Sequence, residues 1–161
     1  YLNKMKSGYT LGADIHYFIS EPFGLGAKYN HAHYQYKMNG FEDKVNLNYF
    51  AVSGLNRFIL RNGSEVYMGG NIGYQSYKDQ AGAVGALVSI TGGTAGVGLE
   101  VGYGLKMKDA SKLYLNLSLL SGTITKVNVE NGGQKETVKL DKEEYESLSR
   151  LEVTLGFVFG H

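Results

Sequence analysis

Leu151-Glu152-Val153-Thr154-Leu155-Gly156-Phe157-Val158-Phe159 alternates residue by residue. Successive side chains of an extended chain point to opposite faces, so Leu151, Val153, Leu155, Phe157 and Phe159 share one side of a strand. Glu152, Thr154 and Gly156 share the other. Such a strand has one greasy face and one small or polar face, which is the pattern of a sheet lying between two different environments.

The same two-residue rhythm recurs along almost the whole chain. It predicts seven strands, at Gly8–Ser20, Gly24–Tyr36, Lys44–Leu60, Glu65–Tyr77, Gly93–Met107, Lys112–Lys126 and Leu148–Gly160. Most exceed the five or six residues usual in soluble proteins, and tilted strands of about nine to eleven residues cross a bilayer's hydrocarbon layer.

Composition agrees with a sheet. The 161 residues, one domain's worth, include 23 glycines, a single proline and thirteen tyrosines, which suits strands that curve and carry interfacial aromatics. A formal net charge of +1 gives no reason to expect nucleic acid, and the absence of cysteine excludes disulfides. No run approaches the 18 or more apolar residues of a membrane-spanning helix, but barrel strands average polar against apolar and escape that test. No cleavable signal opens the chain at Tyr1, as expected of a mature or truncated polypeptide.

In the first strand Tyr9, Leu11, Ala13, Ile15, Tyr17 and Ile19 oppose Thr10, Gly12, Asp14, His16, Phe18 and Ser20. In the fifth, Ala95, Val97, Leu99, Val101, Tyr103 and Leu105 oppose four glycines, Glu100 and Lys106. In the sixth, Leu113, Leu115, Leu117 and Leu119 oppose Tyr114, Asn116, Ser118 and Leu120. A soluble barrel turns its apolar face inward onto a bulky core, whereas a small membrane barrel turns it toward lipid and fills its interior with small residues and a polar network. The interior network is expected to contain Asp14, His16, Lys28, Asn30, Asn71, Glu100, Lys106, Asn116 and Glu152, together with Asn46, Asn48 and Gln75, with glycines leaving room for the longer side chains. Tyr9, Tyr17, Tyr29, Tyr49, Tyr74 and Tyr103 are placed on the outward series. In the third strand Phe50 and Val52 break the parity set by Val45, Leu47, Tyr49 and Ala51, and a bulge is expected to reset it.

Glu21-Pro22-Phe23, Arg61-Asn62-Gly63-Ser64 and Lys108-Asp109-Ala110-Ser111 read as tight turns, and 37–43, 78–92 and 127–147 as long loops, the last charged and with room for a short helix after Asp141. Short turns at one rim and long loops at the other are the asymmetry of outer-membrane barrels. Seven up-and-down strands would bring the first and last together in parallel, and an open edge in hydrocarbon leaves backbone groups unpaired at several kcal/mol each. The expectation is an all-β, antiparallel up-and-down transmembrane β-barrel forming one domain over residues 1–161. Seven of its strands are visible, and an eighth lies upstream or is supplied by another segment or partner.

Gly96-Val97-Gly98-Leu99-Glu100-Val101-Gly102-Tyr103, Met68-Gly69-Gly70-Asn71-Ile72-Gly73-Tyr74 and the last strand carry a resemblance. In architecture, and along its whole length, the chain resembles the small outer-membrane barrel family typified by OmpX and the membrane domain of OmpA. The resemblance implies a bacterial outer-membrane location in contact with outer-membrane lipid. It also implies a terminal aromatic signal for the barrel assembly machinery, here carried by Phe157 and Phe159, although Gly160 and His161 follow. The functions of such a family are diverse, so its fold does not fix this chain's role.

Candidate sites are sparse. His31-Ala32-His33 puts two imidazoles on one side of a strand but lacks a third ligand, so no metal and no cofactor are expected. Asp14 and His16 share a face, and a structural pair outweighs a catalytic one in the absence of an evident nucleophile. The apolar stretch 81–90, with Val84, Leu87, Val88 and Ile90, is a candidate edge for binding another surface protein by strand addition. The sequence therefore points to a non-enzymatic outer-membrane barrel with a structural, adhesive or complex-accessory role. An outer-leaflet lipid-modifying enzyme and a soluble ligand-binding barrel are the alternatives.

Overall fold

A computed structural model describes residues 7–38, 41–83, 86–106 and 111–159. Seven long strands form one antiparallel path: β1 (Ser7–Phe18), β2 (Phe23–Met38), β3 (Phe41–Ile59), β4 (Glu65–Ala83), β5 (Ala86–Lys106), β6 (Ser111–Ile124) and, at the far end, β10 (Arg150–Phe159). The sheet curls into a half-barrel. β1 pairs only with β2, and β10 pairs only with β6, so each has an unpaired edge among the described residues.

The expected long loops are mostly strand. β2 reaches Met38, paired with Phe41 at the start of β3, and β4 reaches Ala83, paired with Ala86 at the start of β5. The third connection forms a hairpin of β7 (Lys126–Asn131) and β8 (Gln134–Lys139), a single 3-10 turn at Lys142–Glu144 and the short β9 (Glu146–Ser147). Gly132 and Gly133 close the hairpin at φ 57° and 84°, the left-handed pair that a tight two-residue turn requires.

Register is unbroken through β3 on both sides, from Phe23 opposite Asn56 to Met38 opposite Phe41 and from Phe41 opposite Ala83 to Ile59 opposite Glu65. The bulge expected there is absent. An extra residue lies instead between β6 and β7, because Gly96 faces Gly122 whereas Gly92 faces Val127.

What changes along β3 is the polarity of the two faces rather than the pleat. At the turn rim the outer wall is apolar, with Phe50, Val52, Ile72, Tyr74, Val97, Leu99, Leu117 and Val153 exposed. Beyond the row Tyr29–Phe50–Tyr74–Ala95 the outer wall turns polar, with His31, Asn48 and Ser76 in the next row. The interior inverts at the same level: Ala32, Val45, Leu47, Tyr77, Ile124, Val127 and Leu148 form a buried apolar cluster in the distal half. Tyr49 is therefore an inward residue with no exposure, not an outward one, and Asn46 and Asn48 lie on the outer wall rather than inside. Tyr9, Tyr17, Tyr29, Tyr74 and Tyr103 are exposed as expected.

The apolar band has a measurable height. On β5 it runs from Ala95 to Leu105, ten residue steps, or about 33 Å along the strand. At a tilt of about 40° this projects to about 25 Å.

Candidate functional site: the filled interior and the outer wall

Because every second residue of each strand points inward, the half-barrel gathers polar side chains from strands distant in sequence. Lys28 on β2 donates to Glu100 Oε2 on β5 at 2.5 Å and to Ser118 Oγ on β6 at 3.3 Å. Glu100 also accepts from Asn116 Nδ2 at 3.0 Å and from Asn71 Nδ2 at 3.4 Å. Asn30 donates to Glu152, which accepts in turn from Arg150 Nε at 2.7 Å, while Arg150 reaches Gln75 Oε1 at 3.0 Å. Tyr49 closes the network by donating to Asn71 Oδ1 at 2.7 Å. Two buried cations meet two buried anions, so the layer is neutral and most of its donors and acceptors are partnered, the arrangement that makes buried charge tolerable.

The glycines opposite these groups are spaces. A Cβ on Gly96 would lie 2.6 Å from Gln75 Nε2 and 3.0 Å from the Tyr49 ring. On Gly26 it would lie 2.2 Å from the Ile15 carbonyl oxygen and 2.4 Å from the His16 ring, which crosses this bare backbone to reach the next strand. There His16 Nε2 meets Ser53 Oγ at 2.7 Å.

Below this layer Tyr67 and Tyr114 stack edge to face at 5.3 Å, Arg57 lies 4.0 Å over the Phe18 ring and 4.0 Å from Glu65, and Tyr67 donates to Glu65. Above it lies the apolar cluster. Three layers of side chains thus occupy the interior from end to end.

Of the expected network residues, Lys28, Asn30, Asn71, Gln75, Glu100, Asn116 and Glu152 are brought together. His16 is in a neighbouring contact with Ser53, and Asp14 is exposed on the inner face of the edge strand β1. Lys106 is described by its backbone alone, as are Leu87, Phe157 and Phe159, and Val84 lies outside the described residues. Arg150, Tyr49 and Ser53 are members that the sequence reading did not select. Arg150 precedes the alternating run, and Ser53 shares its face with Tyr49, which had been assigned outward.

His16 and Ser53 have the spacing of a base and nucleophile, but Ser53 is only 4 % exposed and no hydrogen bond links Asp14 to His16 among the described residues. The pair lacks the third group that would orient the imidazole. No group of three or more metal-ligating side chains occurs among the described residues.

Within the stretch 81–90, residues 81–83 and 88–90 are paired on both sides. Its β4 side is paired to β3, with Ala81 opposite Asp43, and its β5 side to β7, with Val88 opposite Asn131 and Ile90 opposite Val129. Ile90 packs on the distal apolar cluster, which is why this stretch is greasy.

The outer wall carries two further features. A groove of about 710 Å³ between β1 and β4 is lined by Ala13, Ile15, Ala27, Tyr29, Phe50, Val52, Ile72 and Tyr74. Just distal to it His31 Nδ1 and Asn48 Oδ1 lie 2.8 Å apart, as do His33 Nδ1 and Asn46 Oδ1, with the Tyr9 ring 5.4 Å from that of His33. Comparison with known proteins finds no matching family model, no matching curated protein and no matching solved structure.

Proposed function

We propose that the chain is a non-enzymatic β-barrel protein of a bacterial outer membrane, its proximal half in lipid and its distal half in water. The observation that carries this reading is the inversion of polarity at one level around the sheet. Below it apolar residues face out and charges face in; above it, with register unbroken from β2 through β5, the outer wall is polar and an apolar cluster fills the interior beside the buried Asp43 and Asp79. A sheet in a single solvent has no reason to exchange its faces halfway along a strand. The band's height of about 25 Å is that of outer-membrane barrels.

The packed interior disfavours an open pore, so the role is structural, adhesive or complex-accessory, exercised through the distal strands and the β7–β8 hairpin. In lipid the two free edges would leave a column of unpaired backbone groups, and closure by a further strand antiparallel to both is part of the proposal. Insertion by the barrel assembly machinery follows from the same location.

A Gram-negative host expressing the protein supplies the test. The account predicts recovery in the outer-membrane fraction with an unchanged lipid A mass spectrum. Recovery as a detergent-free soluble protein would refute the location, and a modified lipid A would establish the enzymatic alternative.

A further inference from the structure

We propose that the outer wall of β1–β4 holds one anionic phospholipid, its phosphate seated on His33, Asn46 and Lys78 and an acyl chain in the groove beneath them. The inference rests on the membrane reading above. Tyr9, His33, Asn46 and Lys78 form one register row across four neighbouring strands. That row lies four residues beyond Tyr29, the last apolar residue of β2, or about 13 Å along the strand and about 10 Å in height at the same tilt. A bilayer about 40–45 Å thick around a core of about 30 Å has headgroup shells of about 5–8 Å, so the row stands at the outer margin of that layer, from which the long Lys78 side chain reaches inward.

The chemistry of the row fits a phosphate. Asparagine Oδ1 only accepts, so His33 donates to it from Nδ1, and Nε2 is left to meet a ligand. The same bond leans His33 toward Asn46, and Lys78 flanks Asn46 on the other side, two strand spacings or about 10 Å from His33. No ion pair engages Lys78 among the described residues; of the outward carboxylates, Glu42 is 3.1 Å from Lys44 and accepts from Gln35 at 2.6 Å, and Glu130 stands two strands away on the next row. His31, a further potential cation, occupies the adjoining row.

The groove decides between a lipid and a free anion. Its distal margin is the row Tyr29–Phe50–Tyr74, directly beneath the polar rows, and its floor is lowered by Ala13 and Ala27. It is a shallow, open depression of about 710 Å³ whose outward side chains are apolar. A phosphate with a hydrocarbon tail satisfies both halves; inorganic phosphate satisfies one.

The test compares the intact protein with His33→Gln/Lys78→Gln after reconstitution into vesicles of phosphatidylcholine alone or with phosphatidic acid, followed by native mass spectrometry of retained lipid. The wild type is expected to retain phosphatidic acid about tenfold over phosphatidylcholine, and the double variant to lose that preference, with Lys78→Arg keeping it. All three substitutions are on the outer wall, and an unchanged far-ultraviolet strand signal verifies the fold. Equal retention by wild type and double variant, or no wild-type preference, overturns the site while leaving the membrane reading standing. Displacement of the lipid by added inorganic phosphate overturns the lipid as its ligand. Failure to float with either vesicle overturns both readings.

Discussion

Removing one charge from the Lys28–Glu100 pair should cost far more than removing both. Both side chains are buried, at 4 % and 1 % exposure, and among the described residues the ammonium has only Ser118 besides Glu100. Glu100→Gln keeps one acceptor oxygen, enough for Asn116 but not also for Asn71 on the other oxygen, and strands the lysine; Lys28→Met strands the carboxylate. Stranding a buried charge costs about 3–5 kcal/mol, and the lower end applies here because each group keeps a polar neighbour. The double variant Lys28→Met/Glu100→Gln loses hydrogen bonds without an orphaned charge and should cost about 1–2 kcal/mol. The expected coupling between the sites is therefore about 4 kcal/mol. In urea titrations of the protein refolded in detergent, followed by circular dichroism, each single variant should lower the midpoint by about 1.5 M at a slope near 2 kcal/mol per M. The double variant should fall by less than either single variant. Additive effects below about 1 kcal/mol would mean that water screens the pair, and the argument for a filled interior would fail.

Leu99→Arg places a charge in the middle of the outer band and should destabilise the vesicle-inserted protein by about 2–4 kcal/mol, whereas Thr91→Arg, beyond the polarity boundary, should change little; refolding titrations in vesicles distinguish them. Gly96→Val should displace Gln75 and Tyr49 and cost about 1–3 kcal/mol by the same measurement, the contacts at 2.6 and 3.0 Å leaving no room for a branched side chain. Ser53 should not react with a fluorophosphonate probe, and covalent labelling detected by intact mass would make the His16–Ser53 contact a catalytic one.

Legibility in the sequence followed the solvent. Where a strand meets one medium along its length, as β5 does from Ala95 to Leu105, alternation alone assigns inside and outside. Where the two faces exchange polarity partway along, as on β3, the pattern inverts without a break in pleat, and Phe50 and Val52 therefore looked like a bulge when the register had not moved. The same inversion hid the distal extensions: segments with greasy residues inward at Ile90, Val127 and Val129 looked like loop when judged by the proximal rule. Candidate interior residues were readable as polar members of the inward series. Their partners were not, since Lys28 and Glu100 are 72 residues apart and meet only after the sheet curls. Asn46 and Asn48 failed for the converse reason: asparagine suits an interior network and a wetted outer wall equally well.

The chain contains no cysteine, so a single spin-labelled cysteine can report the medium around any chosen position. Labels at Leu99→Cys and Lys78→Cys, in vesicles, compared for relaxation by dissolved oxygen and by a water-soluble nickel chelate, test the polarity inversion most directly. The account predicts a label at 99 relaxed by oxygen and shielded from nickel, and a label at 78 with the opposite response. Nickel reaching both labels equally would place the apolar band in water and contradict the central claim.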